Sequence, residues 1–94
     1  MPASSQTLPL IHLNGSNGPR LQEQYTDAYA ALRMFRLAFD AIEFNARDYY
    51  LVPGSWQQAV KDREVQAQHI AGLRAYLAAH VEGIDEQNEA RRKP

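Results

Sequence analysis

Two short segments carry the residue types that can do chemistry. The first is Ile11-His12-Leu13-Asn14-Gly15-Ser16-Asn17-Gly18-Pro19-Arg20. Asn14, Gly15 and Ser16 supply flexible backbone amides and a hydroxyl just ahead of a helix start, and Arg20 adds a guanidinium. Free amides at a helix N-terminus favour negative charge, so this combination suits an anion or a phosphate. The plainer reading is a tight Asn-Gly turn followed by a cap. The second segment is Arg47-Asp48-Tyr49-Tyr50. A tyrosine ring stacks on a planar ligand and an arginine pairs with phosphate, so the loop suits a nucleotide-like molecule. The plainer reading here is that both tyrosines plug the end of a bundle while Arg47 pairs with Glu43, four residues back.

Other chemistries find little support. The histidines are His12, His69 and His80, and none stands at an HxxxH, HExxH or Glu-x-x-His spacing. A helical metal site is therefore not expected. The chain has no cysteine, which excludes disulfides, thiolate ligands and thiol nucleophiles. There is no Gly-rich phosphate loop. Ser4, Ser5, Ser16 and Ser55 do not sit in a nucleophile elbow. The expectation is a protein that is not an enzyme and needs no cofactor.

Charge narrows the partners. Residues 1–90 carry seven basic and eleven acidic side chains, and Arg91, Arg92 and Lys93 bring the whole chain to −1. A net acidic body does not suit duplex nucleic acid. The terminal basic run reads as a solvated end or as a contact for an anionic surface. No apolar run approaches the roughly 20 residues of a membrane span. The segment MPASSQTLPL lacks the basic-then-apolar layout of a secretory signal. A cytoplasmic protein without membrane contact is expected.

These segments must be positioned by helices. At 94 residues the chain holds one domain. Residues 1–18 form an arm punctuated by Pro, Ser, Gly and Asn. Residues 19–47 and 55–82 are expected as two long helices, and 83–94 as a flexible tail. Asn17 or Gly18 caps the first helix and Pro19 opens it. Leu21, Tyr25, Ala28, Leu32, Phe35, Phe39, Ile42 and Ala46 recur at alternating steps of four and three, a heptad seam. Tyr29, Met34, Leu37 and Phe44 add a second stripe. Pro53-Gly54 breaks the chain. Ser55 with Gln58 has the spacing of a capping box for the second helix, and Gly83 followed by Ile84 reads as its glycine stop. The second helix carries Trp56, Ala59, Val60, Ala67, Ile70, Leu73, Leu77 and Val81.

The fold class expected is all-α: a long antiparallel helical hairpin with an extended N-terminal arm, assembled into a helical-bundle oligomer. One partner helix cannot cover two apolar stripes, which is why a homo-oligomer is expected, a dimer or higher. The alternative is a monomer whose arm folds back through Leu8, Leu10, Ile11 and Leu13 to cap the seam. In a hairpin the two candidate segments lie at opposite ends. They share a site only if the arm runs back along the bundle or if protomers pack antiparallel.

The motif Ile11-His12-Leu13-Asn14-Gly15-Ser16, a Tyr/Ala/Leu-rich helix, and then Arg47-Asp48-Tyr49-Tyr50 with Pro53-Gly54 resembles a group of short phage- and prophage-encoded helical proteins. The likeness in layout covers about residues 10–82. It implies an accessory phage protein acting in the bacterial cytoplasm. By analogy with small phage inhibitors of host defence, it points to stoichiometric capture of a cyclic or modified nucleotide in a pocket between protomers. Asn14, Gly15, Ser16, Arg20, Arg47, Asp48, Tyr49 and Tyr50 are the candidate ligand-binding residues. The alternatives are a helical interaction module that inhibits or chaperones a host or phage protein, with Met34, Leu37, Phe44 and Trp56 as its exposed candidates, or a virion assembly component.

Overall fold

A computed structural model describes residues 6–92. Residues 1–5 of the expected arm, and Lys93 and Pro94 of the expected tail, lie outside the described residues. Helix α1 spans Gly18–Asp40, a single 3₁₀ turn spans Ala46–Asp48, and helix α2 spans Ser55–Arg92. The two helices pack antiparallel along an elongated body of 66 × 25 × 19 Å. No strand occurs among the described residues.

Helix α1 begins as its punctuation requires. The Asn17 side chain accepts the Arg20 amide at 2.9 Å, satisfying one orphan donor of the first turn. The end differs from expectation. Helix α1 stops at Asp40 and does not reach residue 47. The reason is tertiary. Arg63, on α2, donates to the Phe39 carbonyl at 3.1 Å and lies over the rings of both Phe39 and Phe44. Phe44 then packs tilted against Trp56, 4.8 Å between ring centres.

Helix α2 also departs from its expected bounds. It runs 38 residues, through Gly83 to Arg92, so residues 83–92 are helix rather than flexible tail. Gly83 is a packing position and not a stop: a side chain there would collide with Leu8 of the arm. Ile84 is the most deeply buried side chain of the described residues, at 0% exposure. At the other end the capping box does not form. The Ser55 hydroxyl donates to the Tyr49 carbonyl at 2.7 Å, and Gln58 reaches forward to Asp62 at 2.8 Å. The turn is made instead by Gly54, whose φ of +82° is open to glycine and costly for other residues.

The seam is rotated from the one expected. Leu21, Tyr25, Leu32 and Phe39 of the expected stripe are half-buried and Gln22 and Tyr29 join them, while Ala28, Phe35 and Ile42 stay exposed. The facing residues of α2 include Ala67, Ile70, Leu77, Ile84 and Asn88, again at heptad steps. The arm folds back, but only over the open end. Leu8 packs on Gly83, Ile11 packs near Gly18, and Gln87 holds the Pro9 carbonyl at 2.9 Å. Leu10 and Leu13 remain exposed. Buried apolar side chains among the described residues are Ile11, Leu77 and Ile84 alone.

Candidate functional site

At the open end of the hairpin, three parts of the chain converge. The arm returns through a turn closed by the Gly15 amide on the His12 carbonyl at 3.1 Å. The N-terminus of α1 follows, and the last turn of α2 stands beside it. Between them is a hollow of about 370 Å³ lined by Ile11, His12, Leu13, Gly15, Ser16, Asn17, Gly18, Pro19, Asn88, Arg91 and Arg92. Gly18 is buried there because Asn88 and Ile11 occupy the space a side chain would need. Asn88 is held from behind, donating to Gln22 at 2.8 Å, while Gln22 donates to Asp85 at 2.9 Å.

Gly15 and Ser16 thus line the hollow, and exposed Asn14 sits in the same turn. Arg20 does not join them. It lines a smaller adjoining hollow with Ser16, Asn17, Leu21 and Gln24. The positive charge beside the turn comes from Arg91 and Arg92, which the sequence placed in a tail. Arg92 pairs with Glu89 at 2.8 Å on the surface. Nothing local in the sequence announces this, because it depends on α2 extending past Gly83 and on an antiparallel return.

The second candidate segment lies at the other end of α1, about 35 Å away by the rise of a 23-residue helix. The arm docks at the open end, so within one chain it does not bring the two segments together. Tyr49 and Tyr50 have different fates. Tyr49 is half-buried against Phe44 and Trp56, with ring centres 5.9 and 5.6 Å apart, and plugs the end of the hairpin. Tyr50 is 74% exposed, and Arg47 and Asp48 are exposed beside it. The pair Arg47–Glu43 is not among the ion pairs of the described residues. Of the expected surface candidates, Met34 and Leu37 are exposed, whereas Phe44 and Trp56 are half-buried in this aromatic cluster.

Between the two ends lies an aromatic cluster that joins residues distant in sequence. His80 is 2% exposed, stacks on Tyr25 and packs tilted against Tyr76, with ring centres at 4.6 and 4.2 Å. Its Nδ1 donates to the Tyr76 carbonyl at 2.9 Å. Burial raises the Tyr25 phenol above its ordinary value, and the neighbouring Tyr76 hydroxyl adds to the rise. No group of three or more acidic, His or Cys residues suited to a metal ion occurs among the described residues. No helix of the described residues is long and apolar enough to cross a membrane.

The architecture defines a two-helix hairpin with an arm clamped at its open end. Comparison with protein-family models, with curated proteins and with solved structures returns no match to this chain.

Proposed function

We propose that this chain is a non-enzymatic binding protein that captures a phosphate-bearing small molecule, and that the pocket is completed by a second protomer. The observation that carries the reading is the convergence of the Gly15-Ser16 turn, the α1 N-terminus, Arg91 and Arg92 on one hollow. Asn17 already takes the Arg20 and Leu21 amides and Pro19 has none, so the preference for a phosphate over a neutral ligand comes from the Arg91 and Arg92 guanidiniums beside the Gly15-Ser16 turn. The exposed Tyr50 at the opposite end supplies what the hollow lacks, a stacking surface, and Arg47 beside it adds a third guanidinium. Antiparallel protomers bring one chain's loop to the same end of the assembly as the other's hollow. By analogy with small phage inhibitors of host defence, the ligand is a cyclic or modified nucleotide. Capture of this kind needs affinity and no turnover.

Thermal shift against a panel of cyclic dinucleotides and NAD-derived nucleotides tests this. A ligand at 100 times its Kd stabilises by about 2.7 kcal/mol, a shift that is easily read. The stabilisation is expected to disappear in Arg91→Ala/Arg92→Ala and to weaken in Arg47→Ala and Tyr50→Ala. No shift across the panel refutes the reading.

A second reading rests on a separate observation. Ala31, Phe35 and Ala38 recur at steps of four and three, so they share one face of α1, and Ile42 follows in the turn just beyond it; Phe35 and Ile42 are 53% and 57% exposed. Such a stripe suits an interaction module for a host or phage protein, or a virion assembly component. Recovery of one protein on wild-type bait, lost on Phe35→Asp bait, supports that reading over capture.

A further inference from the structure

One flank of the hairpin is divided by charge. A groove of about 620 Å³ runs between the helices there, with Leu32, Leu37 and Ile70 in its lining and Arg33, Arg36 and Arg74 around it. Asp40 is the single acidic group of the lining, and it is engaged by Arg36 at 3.0 Å. Arg74 donates to the Tyr29 hydroxyl at 3.2 Å and Arg33 makes no ion pair among the described residues, so the groove keeps a net positive charge.

Further along α2 the sign reverses. Ala71, Ala75, Ala78, Glu82, Glu86 and Glu89 follow one another at steps of four or three, so they run along one face of the helix. Ala71 lines the basic groove, and the three glutamates are exposed. Basic and acidic halves therefore share one flank, separated by alanines that let another helix approach closely. That arrangement is self-complementary, as a two-fold interface requires.

We infer that a second copy of this chain docks on this flank, α2 antiparallel to α2, with the two-fold axis passing Ala78. Arg74 then faces the partner subunit's Glu82. Ala78 meets its own copy. The partner's α2 covers the groove and with it Leu37, which is 58% exposed in the single chain. The interface turns one protomer's loop end toward the same end of the assembly as the other's open end, the loop projecting past the last turn of the other's α2. The inference rests on the reading that the chain works as an assembly, and it names the face.

The chain has no cysteine, which makes crosslinking clean. Ala78→Cys in the full chain is expected to oxidise to a covalent dimer, while Ala30→Cys, on the exposed side of α1, does not. By light scattering, wild type is a dimer that weakens as salt rises. Arg74→Glu and Glu82→Arg each raise the dissociation constant at least tenfold, and the double reversal restores it to within threefold. Circular dichroism shows that each variant still folds, and the crosslink keeps the test open if Arg74→Glu does not. A dimer indifferent to both reversals, with no Ala78→Cys crosslink, overturns this interface and leaves capture between protomers standing. A wild-type chain that stays monomeric at all concentrations overturns both.

Discussion

Gln87 and Ile11 are joined across 76 positions of sequence: the Ile11 amide donates to Gln87 Oε1 at 2.8 Å. The same side chain turns its Nε2 to the Pro9 carbonyl at 2.9 Å. One amide thus pairs with two backbone groups of the arm, as a neighbouring strand would. The arm and the hollow it borders depend on this clamp. Gln87→Ala leaves the partly buried Ile11 amide without its acceptor, at a cost of about 1–3 kcal/mol. The expected result is a lower melting temperature together with faster proteolysis and amide exchange in residues 6–13. Gln87→Glu keeps the acceptor and loses the donor, so it falls between the two.

Two glycines separate packing from propensity. Gly72 has open space where a side chain would stand, so Gly72→Ala gains helix propensity and stabilises by about 0.5–1 kcal/mol. Gly18 is enclosed by Asn88 and Ile11, and Gly18→Ala forces both aside at a cost of about 1–3 kcal/mol. Thermal melts of the two variants should move in opposite directions. A rise in both would show that Asn88 and Ile11 do not close on Gly18 as described.

Arg63 ties the end of α1 to α2 through a carbonyl and two aromatic faces. Removing it costs about 1–3 kcal/mol from the lost charged hydrogen bond and cation–π contacts. Lysine does not restore the planar stacking, so Arg63→Lys recovers only part of the loss. Urea unfolding of wild type, Arg63→Ala and Arg63→Lys gives the order directly. Equal midpoints for the lysine variant and wild type would sink the stacking argument.

The Tyr25 phenol is raised by burial and by Tyr76. A group whose folded pKa exceeds its unfolded value near 10 contributes stability that is complete below that value and is lost as pH rises through the folded pKa. Neutral-range melting is therefore insensitive to this phenol, and a decline begins above about pH 10. Tyrosinate absorbance should show one late-titrating ring, absent in Tyr25→Phe. If Tyr25→Phe leaves the alkaline titration unchanged, the phenol is not shielded as described.

Much of the scaffold was legible from local pattern. The Asn17 cap, Pro19, the Pro53-Gly54 break and the stretches of heptad spacing are short-range signals, and each acts through backbone geometry that neighbours in sequence control. They determined that the chain makes helices, where α1 starts, and that the two candidate segments stand far apart in one hairpin. Tertiary contact decided the rest. A heptad stripe states that a face is apolar, but it does not state which side of that face a partner covers, and so Phe35 and Ile42 fell outside the seam. Gly83 reads as a stop when only its backbone freedom is considered. In the fold its missing side chain admits Leu8, and α2 continues to bring Arg91 and Arg92 to the hollow. The end of α1 was likewise set by Arg63, Phe44 and Trp56, whose stacking joins residues distant in sequence. Helix formation is a local balance of propensity and capping, whereas helix length and burial follow from contacts that exist only once the chain has folded back on itself.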